Sequence, residues 1–336
     1  MDKTRKILGG LLGAAVGDAM GAATETRSTK QIVEKFGGLV TTFIDPPDDV
    51  FARGFEKGSV TDDFSLAYCT AQAIINNNGI IDDEVAKNAL IEWSKTRYYV
   101  LAGPTTVGAV NRMLGKEVTS PASFLSYDSS KGSDGGAMKI SPVGLASFGN
   151  VDKAIKDAIT ICKPTHFNST ALSGACAVAA AVSEAMNDNC TIESIIEAGL
   201  KGASFGNDYA TENGKELANP SVYKRIVLAV EIAKKCNGDM AKAMQELEDV
   251  IGSGLSASET VPCAFGLLEA SRGDTSKAII AAVNIGSDTD TIATIVGAIC
   301  GTYESYYNDE YLNTINRVNN YDLSSIAQKI GEISNG

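Results

Sequence analysis

The segment "ALSGACAVAAAV", residues 171–182, is small and apolar on every face a helix could present. A surface helix keeps one polar side, so a helix that is apolar all round is packed on all sides. The rest of the chain must therefore surround it, and does so with more helices. Ala-, Leu- and Ile-rich segments at helical spacing recur at about 4–22, 64–76, 82–95, 151–161, 170–187, 191–203, 221–236, 239–250, 259–271, 275–283 and 291–305. Period-two alternation is nearly absent, and "LVTTFI" (39–44) is the one fair strand candidate. Segments 45–59, 129–144 and 252–259 are rich in Gly, Pro, Ser or Asp and read as loops. No linker composition and no fixed repeat interrupts the 336 residues. The reading is an all-α protein, residues 1–336 forming one compact helical domain.

Net charge narrows the partners. With 29 basic and 41 acidic residues the chain carries −12, which argues against nucleic acid as a ligand. An anionic ligand would need a local positive element. The seven cysteines are odd in number and contain no Cys-x-x-Cys pair, so they read as small core residues in a reducing cytoplasm. A single His nearly excludes a His-based metal site. Lys3, Arg5 and Lys6 before "ILGGLLGAAV" look superficially like a secretory signal, but Asp18 follows at once and the Gly-rich period runs on to Glu25. No uncharged apolar run reaches the ~18–20 residues of a membrane span. The oligomeric state is open, with a monomer slightly favoured.

Gly13, Gly17 and Gly21 form a smooth stripe on the first helix. Each costs about 1 kcal/mol against Ala in a helix. Three in register imply close approach of another helix or a ligand, and tight helix packing is the simpler use.

The polar start of the helix near 291–305 is unusual. "DTDT" (288–291) sets four potential caps before one helix. Asp288 and Asp290 would point about 200° apart on a regular helix. They converge only if the turn before the helix is irregular. Thr61-Asp62-Asp63 has the same build at the start of another apolar helix. Each motif alone is explained as a cap. If the fold brings them face to face, carboxylates about 4 Å apart repel by ~4 kcal/mol at an effective dielectric of 20. Such a group calls for a cation, and oxygen-only donors suit Mg²⁺ or Mn²⁺ rather than Zn²⁺.

Elsewhere, Asp18 and Glu25 share a face if the first helix runs through both; either could work as a general acid or base, and Asp18 could equally be structural. "LAGPTT" (101–106) and "SDGGAMK" (133–139) read as Gly-rich turns whose N–H groups could hold phosphate oxygens. His166 precedes the central Ala-rich helix and reads first as a capping or core hydrogen-bonder.

Taken in order, these pieces resemble the ADP-ribosylglycohydrolase family: Gly17-Asp18-x-x-Gly21…Glu25, Thr61-Asp62-Asp63, Gly136-Ala137-Met138, Thr165-His166 and Asp288-Thr289-Asp290-Thr291. The resemblance implies a compact orthogonal multi-helix bundle with a dinuclear Mg²⁺ or Mn²⁺ centre gripping ribose hydroxyls. It implies one metal on Thr61, Asp62 and Asp63, the other on Asp288 and Thr291, with Asp290 shared. It sets Gly103, Thr105, Ser133, Gly135, Gly136 and Met138 along the path of ADP-ribose, with His166 at the cleft border. Three positions depart from the pattern. Gly286-Ser287-Asp288 replaces Gly-Gly-Asp, and Lys139 replaces the Arg after Gly-Ala-Met, which puts diphosphate contact in question. Val100-Leu101-Ala102 lacks an acid that some members carry. Catalysis is then expected from Glu25, or from Asp62 beside a metal-bound water.

Three activities follow as expectations. One is hydrolytic release of ADP-ribose from a protein side chain or small molecule. The departures motivate a second, cleavage of a nucleoside or other N-glycoside by the same centre. A third is a non-enzymatic relative that binds metal or nucleotide.

Overall fold

A computed structural model of the protein describes residues 3–116 and 127–333. Sixteen α-helices and no strand occur among the described residues, as the all-α reading expects. In chain order they are Lys3–Gly21 (α1), Thr29–Phe36 (α2), Asp62–Asn76 (α3), Asp83–Trp93 (α4), Pro104–Met113 (α5), Ser141–Leu145 (α6), Val151–Cys162 (α7), Ser169–Ala185 (α8), Ile192–Asn213 (α9), Val222–Lys235 (α10), Met240–Val250 (α11), Ala257–Ser271 (α12), Thr275–Asn284 (α13), Thr289–Glu304 (α14), Asp309–Asn319 (α15) and Leu323–Ile333 (α16).

Helix α8 is central, as its composition demands. Every residue from Ser169 to Ser183 is buried, and α6, α7, α9, α12 and α14 pack around it. Its C-terminal carbonyls are capped from α1: the buried Lys6 ammonium donates to Ala185 O and Asn187 O at 2.7 and 2.8 Å. The basic N-terminal stretch is thus part of the core helix α1.

The glycine stripe is a helix seam. A Cβ at Gly9, Gly13 or Gly17 would run into the backbone of Gly301, Gly297 or Ala293 on α14. The converse holds for Gly297 against Gly13 and for Gly301 against Gly9. The two backbones therefore touch without intervening side chains. At the far end of the seam, Gly21 abuts the backbone of Thr289 and Asp290. The same packing that joins α1 to α14 fixes the start of α14 against the end of α1.

Several expectations are corrected. Residues 39–44 form no strand. The Asn284 side chain donates to Val40 O and accepts from Val40 N–H, both at 2.8 Å, so one amide supplies the pairing a neighbouring strand would have given. "LAGPTT" is not simply a turn, because Pro104 opens α5 from the first helical position, where its missing N–H is harmless. Helices α2, α15 and α16 were not anticipated, and α6 lies inside an expected loop. Helix α9 runs ten residues past its apolar pattern because Gly206 and Ala210 keep it in contact with the core.

Candidate active site

Thr61 caps α3, its Oγ1 accepting from Asp63 N–H at 3.2 Å. The fully buried Asp18 carboxylate, on α1, accepts from Thr61 N–H and Phe64 N–H at 2.9 Å. Asp18 is therefore a second cap of α3, supplied from another helix, which is its structural role. Burial and the Asp290 charge push its pKa up to about 8, against the pull of the backbone donors.

The start of α14 is built differently. Asp288 precedes the helix, yet its side chain makes no capping hydrogen bond. Gly286 and Ser287 have φ values of 101° and 60°, the irregular turn that the Asp288–Asp290 spacing requires. The turn is stitched to the exit of α1: Thr26 N–H donates to Ser287 O and Ser287 N–H to Arg27 O, both at 2.8 Å. Thr26 is itself left-handed at φ 67°, a costly conformation for a β-branched residue. Ser287 explains the departure from Gly-Gly-Asp, since it keeps the backbone conformation that glycine adopts freely. Thr289, fully buried, ties the turn to α1 by donating to Gly21 O at 3.0 Å.

The structure brings the two motifs together. Thr291 lies close enough to Asp63 to moderate its raised pKa, and Asp62 feels the charges of Asp290, Asp18 and Asp134. Carboxylate oxygens of Glu25, Asp288 and Asp290 all lie within 4.8 Å of one another. Asp63 Oδ2, Asp288 Oδ2 and Asp290 Oδ1 are buried without a hydrogen-bond partner. Burial first, then Asp290, Asp62, Asp18 and Asp134, push the pKa of Glu25 up to about 10. Burial likewise lifts Asp290 to about 6 and holds Asp62, Asp63 and Asp288 well above the carboxylate range. An unpaired buried carboxylate is expensive, and several together more so.

Asp134 joins this group and escaped the sequence reading. It is buried, lies beside Asp288, whose pKa its charge helps to raise, and accepts from Thr260 Oγ1 at 2.5 Å. Its only signal was one acid in a Gly-rich turn, a common turn residue. The neighbouring residues form a second wall, free of carboxylates. His166 is buried with Nε2 3.3 Å from Ser133 Oγ and Nδ1 2.8 Å from Thr165 Oγ1. A Cβ at Gly135 would stand 2.8 Å from His166 Nε2, and one at Gly136 3.2 Å from Cys162 Sγ. These glycines leave room for the ring and for α7. Met138 packs with Leu66, Leu90, Trp93 and Val110 in a small core. Gly103 is exposed at the start of α5 and Thr105 half-buried in its first turn; no hydrogen bond or ion pair among the described residues ties either to the acids. Lys139 is 1% exposed and donates to Thr165 Oγ1 at 2.9 Å, so it lies behind His166 and does not face a ligand directly.

A sequence profile of the ADP-ribosylglycohydrolase family matches residues 1–329, and the chain belongs to that family of glycohydrolases. Among its relatives is the Escherichia coli K12 protein YegU, 31% identical over 305 residues, which cover 89% of this chain and 87% of YegU. The ADP-ribosylhydrolase ARH3 of Gallus gallus is 26% identical over 317 residues, covering 88% and 84%. The human ARH3 is 26% identical over 316 residues with the same coverage. A solved structure titled ADP-ribosylglycohydrolase-related protein complex superposes with a TM-score of 0.64 at 20% identity, covering 99% of both chains, and shares the fold.

Proposed function

We propose that this protein is a divalent-cation-dependent hydrolase that releases ADP-ribose from an ADP-ribosylated side chain or small molecule. The observation carrying this reading is the meeting of two oxygen-only motifs whose buried Asp63, Asp288 and Asp290 oxygens lack partners. Such donors fit a hard cation. Thr61, Asp62 and Asp63 would hold one Mg²⁺ or Mn²⁺, Asp288 and Thr291 the other, with Asp290 shared. Bound there, the cations supply a Lewis-acid grip on the ribose hydroxyls beside the bond to be cut. The protein's own groups do the rest. Glu25, buried beside Asp290 and Asp62, would take the proton of the water that attacks the anomeric carbon once bound cations offset the acid charges that favour its protonated form, and would pass that proton to the leaving atom as its bond breaks. Ser133 and His166 border the remainder of the ligand. The ARH3 relatives, named as ADP-ribosylhydrolases, support the substrate class.

The nucleoside alternative rested on two departures, and both have structural accounts. Ser287 preserves the turn, and Lys139 lies behind the wall. Neither favours a substrate without the diphosphate. Seven unpaired cysteines, six of them buried, fit a cytoplasmic setting, and no described helix is long and apolar enough to cross a membrane.

The test is to incubate the protein and Mg²⁺ with ADP-ribosylated serine and arginine peptides and O-acetyl-ADP-ribose, following free ADP-ribose. Release from at least one is expected. No release from any of them, or turnover confined to nucleosides, overturns the reading.

A further inference from the structure

Beside the acids runs a chain of polar groups with a direction. Lys139 Nζ lies 2.9 Å from Thr165 Oγ1, Thr165 Oγ1 lies 2.8 Å from His166 Nδ1, and His166 Nε2 lies 3.3 Å from Ser133 Oγ. An ammonium only donates, so Thr165 Oγ1 accepts from Lys139 and has one proton left to give. Its two possible acceptors are His166 Nδ1 at 2.8 Å and Cys162 O at 3.4 Å. An O–H···O bond is normally 2.5–3.0 Å long, so the carbonyl is too far and the imidazole takes the proton. Burial, and then the Lys139 charge, also push the His166 pKa down to about 3, so the ring is neutral. A neutral imidazole that accepts at Nδ1 carries its hydrogen on Nε2, facing Ser133.

We infer that Lys139 and Thr165 are positioning residues that fix His166 as its Nε2–H tautomer and thereby turn the Ser133 hydroxyl outward as a hydrogen-bond donor to an acceptor oxygen of the ligand. The opposite tautomer would reverse the outcome: Nε2 would accept the Ser133 hydrogen and leave the cleft only a lone pair. The direction of the chain thus selects for an oxyanion or carbonyl-like acceptor at Ser133. Lys139 forms no ion pair among the described residues, and a ligand anion at the far end of the chain would offset its buried charge. On this account Lys suits the position, because what the position must supply is a cationic donor to Thr165. The ligand half of this inference rests on the ADP-ribose reading above, whereas the tautomer does not.

His166 is the only histidine in the chain, so its ring nitrogens can be read without assignment in a ¹⁵N-labelled protein. The wild type is expected to show a pyrrole-like Nε2 and a pyridine-like Nδ1. Thr165→Val and Lys139→Met should shift both signals toward a tautomer mixture, and Lys139→Arg should restore the wild-type pattern. In calorimetric titrations of the Mg²⁺-loaded protein, Thr165→Val should weaken ADP-ribose binding roughly tenfold, the loss of one hydrogen bond to a charged group. A wild-type Nδ1–H tautomer overturns the inference, as does a folded Thr165→Val protein with unchanged signals and affinity. Failure of ADP-ribose to bind the wild type overturns the functional reading instead, because the tautomer is read without ligand.

Discussion

The starts of α3 and α14 use the same residue types to different ends. At α3, Thr61 caps in the usual way and Asp18 of α1 takes up two more backbone N–H groups. At α14, Asp288 caps nothing, and the preceding turn is held by backbone bonds to residues 26 and 27. In both cases the first turn is secured by groups outside the candidate carboxylates. The carboxylates of Asp63, Asp288 and Asp290 each keep one buried oxygen without a partner and can collect around one point. Capping and ligation are separable for the carboxylates, whereas Thr61 stands in both roles, although the sequence writes them side by side.

This separation can be broken most sharply at Asp290. Asp290→Asn should lower turnover by at least about a hundredfold through loss of charge stabilisation, yet raise the melting temperature of the metal-free protein by relieving repulsion. A cap would behave oppositely, losing stability and keeping activity. The seam that holds α14 in place gives the next largest effect. Gly17→Val should cost about 3 kcal/mol or more in urea unfolding, because the added atoms meet Ala293 backbone.

The pH dependence follows from the raised carboxyl pKa values. Acids whose folded pKa exceeds the unfolded value stabilise the fold fully below the unfolded value, and that contribution is lost as pH rises through the folded one. In EDTA the melting temperature should fall from about pH 4 upward, through the region of Asp290 near 6 and of Asp18 near 8. Excess Mg²⁺ should flatten or reverse this slope, since metal and protons compete for the same oxygens. A slope indifferent to Mg²⁺ would count against a metal at this cluster. The smallest effects compare the two starts directly. Thr61→Ala should cost about 1 kcal/mol as a lost cap, whereas Ser287→Gly should stabilise by about 0.5–1 kcal/mol by relaxing a left-handed serine.

Sequence period revealed the helices that bury a broad apolar face, such as α8 and α14, because burial itself imposes the pattern. Helices α2 and α15 were hidden because their buried stripes are narrow: α2 buries Ile32 alone, and α15 buries Leu312, Ile315 and Asn319; α16 buries Leu323, Ile326, Ala327, Ile330 and Gly331, a full helical stripe that was legible and missed. Residues 39–44 carried strand chemistry, but their partner is an Asn side chain from the far end of α13, a contact no local pattern encodes. The Thr-Asp-Asp and Asp-Thr-Asp-Thr motifs were legible because their acids exceeded what capping needs. Asp134 was not, because a single acid in a turn is ordinary until the fold sets it beside Asp288. The surroundings of Lys139 were not legible for the same reason: only packing reveals that it is buried and donates to Thr165 beside His166.

The glycine seam also sets an order of events. Helix α1 leaves the ribosome well before its partner α14, with residues 22–288 made between them. Until α14 is made, the bare backbone face of α1 has no surface to close on, and Asp18 and Glu25 have no Asp290 beside them. The acid cluster therefore cannot assemble on a nascent chain. It belongs to the slow, long-range part of folding, and a protein truncated before α14 should hold most of its helices yet have no centre at all.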